Sequence, residues 1–364
     1  MDLVYVSGHK NPDTDSICAA ISYSYLLNAT HKYGQAVPVR LGEVSRETEY
    51  VLKRFNAHTP QLLKSVKQKV EDLDYDQVTL FSKELTLRTA WSLMCQMNLK
   101  SAPVLDDHSH LLGLLSSTNI IEGYMEDWDK DILKNAHTPI ENVVDTLDAK
   151  IVYLNPELRT IKGSLHITGM NSQEVIDHVN EHDVIITGGD RTEGIREMLK
   201  KKVDLIILTN SLHLEESVLE ECKNAGVSVV TTAFTTFKTS QQIIQAVPVE
   251  YVMQKGDLTC FSTDDTVDYL KEVMSETRYH SYPVIDLNDQ VVGTISRFQV
   301  ITGDHKKMIL VDHNERGQAV EGIEEAEILE VVDHHRVADF QTVGPLQFRA
   351  EPLGCTCTII AKMY

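Results

Sequence analysis

Residues 3–16 read LVYVSGHKNPDTDS, and this stretch decides the fold. The apolar run from Leu3 predicts a short strand, Gly8 and Pro12 break it, and a helical run opens near Ser16. In open parallel α/β sheets, a loop at the carboxyl end of a strand is where ligands are held. His9, Asp13 and Asp15 project from this loop in the spacing H-x3-D-x-D. Asp15 or Ser16 can cap the helix, which accounts for one acid but not for a histidine and a second acid.

The pattern returns at the other end of the chain. Residues 306–315, KKMILVDHNE, place Asp312 at the end of an apolar strand, and residues 328–340, ILEVVDHHRVADF, place Asp333, His334 and His335 at the end of another. Adjacent parallel strands present their carboxyl ends along one edge, so Asp312 and His334 are topological partners of the first loop. His9, Asp13, Asp15, Asp312 and His334 form an oxygen-rich set with two imidazoles. That set suits Mn²⁺ or Co²⁺ better than structural zinc. Two such ions roughly 3.5–4 Å apart would activate water and stabilise an in-line phosphoryl displacement.

Composition narrows the field. The 364 residues are 42% apolar and 24% charged, an ordinary globular balance, without the ~20 consecutive apolar residues that span a bilayer. No membrane association and a cytoplasmic location are expected. The excess of 54 acidic over 34 basic residues gives a net charge of −20, which argues against nucleic acid as a partner. Six cysteines at 18, 95, 222, 260, 355 and 357 lack a zinc framework and read as free thiols. Cys355 and Cys357 read as helix packing, and the acidic run 322–330, GIEEAEILE, as a solvated helix turn without a role.

The middle of the chain repeats itself. A shift of 180 positions aligns residues 78–123 with 258–303 without a gap, and thirteen of the 46 positions match. Each copy reads as a strand, an amphipathic helix (Thr86 to Met97; Thr266 to Glu276), two strands around a polar turn, and a closing helix. The paired strands are SAPVLD with LLGLLS, and SYPVID with VVGTIS. Lys100, Arg278, Tyr279 and His280 sit just before the SAPV and SYPV strands of their copies, where cations and aromatics could clamp a phosphate and a base. The bland alternative is surface charge on a structural pair.

These copies resemble the CBS domain, whose tandem pairs bind adenine nucleotides. The resemblance implies AMP, ADP, ATP or a diadenosine polyphosphate as regulatory ligand, with Ser101 and Ala102 among the contacts and Ser116 and Asn119 meeting a ribose. Ser296 matches in the second copy, where Gln299 replaces the amide or acid. The roughly 120 residues between the copies carry an α/β pattern with strands at Asp183 to Ile186, Leu205 to Leu208 and Val227 to Thr231. Their segment 186–199, ITGGDRTEGIREML, resembles the DRTGG domain and could turn through its glycines to hold an anion, although a plain turn explains it as well.

GHKNPDTDS, LVDHNE and VDHHR together resemble the DHH phosphoesterase superfamily, and within it the family II inorganic pyrophosphatases that carry a CBS–DRTGG–CBS insertion. The resemblance implies inorganic diphosphate as substrate, two Mn²⁺ or Co²⁺ ions, and Mg²⁺ accompanying the substrate. It implies that His9 and Asp13 bind one metal, that Asp15 and His334 bind the other, and that Asp312 bridges both. His335 would contact the leaving side of the diphosphate, and Asp333 would orient the histidines.

The expected architecture is a Rossmann-like parallel α/β DHH domain from residues 1–65 and 305–364, interrupted by CBS copies at 66–125 and 246–304 and a DRTGG-like module at 126–245. A homodimer through the CBS domains is expected. Gly354-Cys355-Thr356-Cys357-Thr358 opens a helix six residues before Tyr364. The resemblance therefore implies a truncated chain, lacking a further metal-binding aspartate and the basic C-terminal domain, with weakened metal affinity and little hydrolysis. Another DHH phosphoesterase, or a nucleotide sensor without catalysis, are the rival expectations.

Overall fold

A computed structural model describes residues 3–77, 79, 81–126, 129–168, 177–188, 192–303, 305–338, 341–342 and 344–364. The chain forms two compact units. One comprises Met1–Asp74, Ser262–Arg278 and Arg297–Tyr364, and the other comprises Tyr75–Phe261 and Tyr279–Ser296.

The first unit is built on a six-stranded sheet of β1 (Leu3–Ser7), β2 (Gln35–Arg40), β3 (Gln61–Leu62), β4 (Lys307–Val311), β5 (Glu327–Asp333) and β6 (Gln347–Ala350). All neighbours are parallel, in the order β6-β5-β4-β1-β2-β3. This is the doubly wound order, and the direction of winding reverses between β1 and β4. Strand β4 comes from the far end of the sequence yet lies beside β1, with Ser7 opposite Leu310.

The apolar strands explain this arrangement. Met308, Ile309, Leu310 and Val311 are all buried, as a strand covered on both faces requires. Ile309 and Val311 pack with Val4, Val6, Ala20, Tyr23 and Leu27 on one face, while Met308 and Leu310 pack with Val66, Val320 and Val331 on the other. Helix α1 (Thr14–Thr30) supplies Ala19, Ala20, Tyr23 and Leu27 to the first face at helical spacing. Helix α2 (Arg46–Arg54) follows β2, and the short α3 (Thr356–Ala361) buries Ile359 and Ile360 in the same core as α1.

Two details differ from the sequence expectation. Helix α1 begins at Thr14, and its cap is Asp13, whose carboxylate accepts from the Ser16 amide at 2.9 Å, rather than Asp15 or Ser16. An extended backbone at Asp13 lets its side chain fold back over the first turn, leaving Asp15 inside the helix. The acidic run at 322–330 is also not wholly solvated. Ile323–Glu325 is a single turn, but strand β5 starts at Glu327, and the pleat turns Glu330 into the interior, where it is 1% exposed. There Glu330 accepts hydrogen bonds from Tyr23, Tyr33 and Lys32.

In the second unit the two repeats meet. Hairpins Ser101–Leu105 with Leu111–Ser116, and Tyr282–Ile285 with Val291–Ile295, are both antiparallel. His110 bridges to Gln290, 180 positions later. Each hairpin also pairs with the segment preceding the other copy. Asp76–Gln77 pairs with Gly293 and Thr294, while Gln254 exchanges backbone bonds with Leu114. The intervening module is a five-stranded sheet ordered 150–153, 228–231, 205–208, 184–187, 165–167, parallel except for the edge strand Lys150–Tyr153. The three expected strands are present, and Leu165–Ile167 and Lys150–Tyr153 complete the sheet. Residues 189–191 of the glycine turn lie outside the described residues. Among the described residues, no helix is long and apolar enough to cross a membrane.

Candidate metal centre

The carboxyl ends of β1, β4 and β5 bring the two ends of the chain together. His9 follows β1, Asp312 follows β4, Asp333 ends β5, and His334 and His335 follow it. Gly8 makes the first turn possible: a Cβ there would stand 1.7 Å from the Ser16 hydroxyl oxygen. That hydroxyl instead accepts from the His9 amide at 3.0 Å, tying the loop to the start of α1.

Asp312 lies at the centre and is 1% exposed. Its φ of +61° is left-handed, a conformation that aspartate tolerates better than most residues. Its Oδ2 stands 3.5 Å from His9 Nε2, which in turn lies 3.8 Å from Asp13 Oδ1. Its Oδ1 stands 3.4 Å from His334 Nε2 and 3.9 Å from His335 Nδ1. Two groups of converging donors therefore share this residue: His9, Asp13 and Asp312 on one side, and Asp312, His334 and His335 on the other.

Asp15 stands differently from the others. Its Oδ2 is 3.9 Å from His334 Nε2, but its carboxylate accepts the Thr356 amide at 2.7 Å and the Cys357 amide at 2.9 Å, capping α3. Burial pushes its carboxyl up, and the bonds from Cys357 and Thr356 outweigh that and hold it below the ordinary value. Asp312 moves the other way. Burial raises it, opposed by hydrogen bonds from His9 and Thr356 and reinforced by the charge of Asp15. His9 is raised by its hydrogen bond to Asp312, against desolvation.

Neighbouring groups orient the rings. His334 Nδ1 donates to the Leu353 carbonyl at 3.0 Å, which leaves Nε2 as the free lone pair toward Asp312. His335 Nδ1 donates to Asp333 Oδ1 at 2.8 Å, and the same oxygen accepts both histidine amides. Asp333 Oδ2 accepts from Asn314 Nδ2 at 2.6 Å. Asn314 also holds Arg336 and Ala338 by backbone bonds, so the loops after β4 and β5 are locked together. A cavity of about 250 Å³ opens beside His335, lined by His313, Asn314, Glu315, Gln318, Asp333 and Arg336.

The donor set of carboxylate oxygens and imidazole nitrogens fits a hard to borderline divalent cation, and the shared Asp312 fits a pair of them. Sequence reasoning missed Asn314, His313 and Thr356. His313 is buried, with Nδ1 on the Val311 carbonyl, and burial pushes its imidazole down to about 4. Thr356 donates its hydroxyl to Asp312 Oδ1 at 3.0 Å. The first two stand inside the DHN motif and the third inside Gly-Cys-Thr, so position within a motif was the available signal.

Of the expected nucleotide contacts, Lys100, Ser101, Ala102, Ser116, Asn119, Tyr279, His280 and Ser296 fall in the second unit, and Arg278 falls in the first. Ser101 Oγ meets Ser281 Oγ at 2.9 Å. Asn119 accepts from the Ser116 amide and hydroxyl while its own amide donates back, a reciprocal cap on the following helix. The Tyr279 hydroxyl accepts from Gln254 Nε2 at 3.3 Å.

Fold and site together define the class, a DHH-type parallel α/β domain interrupted by a CBS–DRTGG insertion. The DRTGG domain model matches residues 142–246 and the CBS domain model residues 249–305. The chain is 47% identical over 363 residues to the cobalt-dependent inorganic pyrophosphatase of Clostridium perfringens, covering 100% of this chain and 66% of that protein. It is 32% identical over 364 residues to the probable manganese-dependent inorganic pyrophosphatase of Thermotoga maritima, with the same coverage. The crystal structure of the CBS and DRTGG domains of the regulatory region of the Clostridium perfringens pyrophosphatase, complexed with the activator diadenosine tetraphosphate, matches at 41% identity and a TM-score of 0.61. That match covers 64% of this chain and 100% of that one. The chain belongs to the family II, CBS- and DRTGG-containing inorganic pyrophosphatases, and spans about two thirds of the length of these curated relatives.

Proposed function

We propose that this chain carries the metal centre of an inorganic diphosphatase that hydrolyses diphosphate to two phosphates under the control of adenine nucleotides. One observation carries this reading: the buried Asp312 carboxylate turns one oxygen toward His9 and the other toward His334, residues from opposite ends of the sequence. In this reading His9 and Asp13 hold one cation, Asp15 and His334 the other, and Asp312 both. Mn²⁺ or Co²⁺ bound there would supply Lewis acidity and lower the pKa of water at neutral pH. Asp333 holds the His335 ring by Nδ1 beside the cavity, where the ring would contact a phosphate group of the diphosphate. The diphosphate, accompanied by Mg²⁺, would enter from the side of the cavity beside His335.

Nucleotide control rests on the second unit, in which the repeats pair through matching positions. The related Clostridium perfringens region, which binds its activator diadenosine tetraphosphate, supports an adenine nucleotide as effector. The domain limits in this reading are 1–65 and 305–364 for the DHH domain, 66–125 and 246–304 for the CBS copies, and 126–245 for the DRTGG-like module. Ile121 and Ile301, equivalent by the repeat, are 55% and 81% exposed, which supports a homodimer through CBS helices.

Phosphate release from diphosphate in Co²⁺ or Mn²⁺ tests the reading, with Asp312→Asn as the control expected to abolish it. Faster cleavage of a cyclic dinucleotide or an oligonucleotide would make the chain another DHH phosphoesterase. A melting temperature raised by AMP without any metal-dependent turnover would make it a nucleotide sensor.

A further inference from the structure

The two oxygens of Asp312 have different surroundings. Oδ2 faces His9, whereas Oδ1 faces His334 and also accepts the Thr356 hydroxyl at 3.0 Å. Thr356 is fully buried at the first residue of α3, and its own amide donates to Asp15 Oδ2 at 2.7 Å. One residue thus holds two carboxylates, by its hydroxyl and by its backbone, and both lie on the His334 side.

The backbone of Asp312 makes this anchor necessary. With φ at +61°, Asp312 has left the regular strand, so the pleat of β4 no longer dictates where its carboxylate points. The Thr356 hydroxyl is a neutral donor that sets the rotation of the carboxylate, leaving the other lone pair of Oδ1 directed at His334. Outer contacts of this kind orient metal-ligating carboxylates, and removing one typically costs 10–100-fold in metal affinity.

We propose that Thr356 is a positioning residue that assembles the His334 side of the metal centre, aligning Asp312 through its hydroxyl and Asp15 through its amide. This inference rests on the metal-centre reading above. It assigns the two halves of the centre unequal dependence on α3: the His9 side is built by the loop after β1 and by Asp312, and the His334 side also needs Thr356.

Calorimetric titration of the full chain with Co²⁺, followed in parallel by the visible absorption of the bound ion, tests it. The native chain is expected to take up two Co²⁺. In Thr356→Val, which keeps the shape and removes the hydroxyl, one of the two binding events should weaken by about 10–100-fold with loss of its absorption. Thr356→Ser, which keeps the hydroxyl, should restore both. In an Asp13→Asn background, which weakens the His9 side, the valine change should weaken the remaining event. Thr356→Ala repeats the comparison with serine if the valine chain does not fold. Unchanged isotherms in the valine variant, or equal weakening in valine and serine, overturn the role of the hydroxyl. Failure of the native chain to bind Co²⁺ overturns the metal-centre reading itself.

Discussion

Ser101 and Ser281 are 180 residues apart in the chain, and their hydroxyl oxygens are 2.9 Å apart in space. The separation equals the repeat offset, so the contact lies where the two copies meet on equivalent positions. Ser101 is buried, so removing its partner leaves a hydroxyl without compensation. Ser281→Ala is expected to cost about 1 kcal/mol, and a double-mutant cycle with Ser101→Ala should give a coupling of about 0.5–1.5 kcal/mol in urea unfolding. Additive losses would mean that the two hydroxyls do not interact.

Glu330 joins the two ends of the sequence at a second place. Its buried carboxylate accepts from Tyr23 and Tyr33, more than 290 residues earlier, and from Lys32. Hydrogen bonds to a charged acceptor contribute about 1.5–3 kcal/mol, so Glu330→Gln is expected to cost about 2–3 kcal/mol of stability. A change within 0.5 kcal/mol, the usual range at exposed sites, would show that the cluster contributes nothing.

The same cluster predicts a response to alkali. Burial, then the bond to Glu330, raises the Tyr23 phenol well above its ordinary value of 10.0, and Tyr33 is raised for the same reasons. Above about pH 10 the unfolded chain loses these protons while the folded chain keeps them, so the folded state binds more protons. Their contribution is present in full below pH ~10 and is lost as the pH rises toward the folded values. Urea midpoints at about pH 9 and pH 11 should fall more steeply for the native chain than for Tyr33→Phe; parallel slopes would refute the linkage.

Gly8 is expected to tolerate no side chain. A methyl group 1.7 Å from Ser16 Oγ must displace that hydroxyl and with it the His9 amide bond. Gly8→Ala should lower stability by about 1–3 kcal/mol and also weaken Co²⁺ binding, because His9 moves with the loop. Native affinity for Co²⁺ in a folded Gly8→Ala chain would show that the turn does not position His9.

Much of the centre was legible because local chemistry dictated it. The apolar strands 3–7 and 307–311 stop at charged loops, and only a parallel pair buried on both faces can use them. His9, Asp13, Asp312 and His334 could therefore be placed on one edge before any distance was known. The capping of α1 was misread, since Asp13, Asp15 and Ser16 are all suitable cap residues, and the backbone angle at Asp13 selects among them. Glu330 was misread as solvated because an acidic run conceals the alternation of the strand that begins inside it.

The amino-acid order alone determined the strand ends, the repeat and the candidate donors, because each depends on neighbours within a few residues or on a fixed offset. Tertiary structure alone decided which donors share Asp312, which amides cap Asp15, and that Thr356 and Asn314 belong to the centre. Those contacts join residues as far as 342 positions apart, and hydrogen-bond geometry at 3 Å depends on backbone angles and packing that no local pattern encodes.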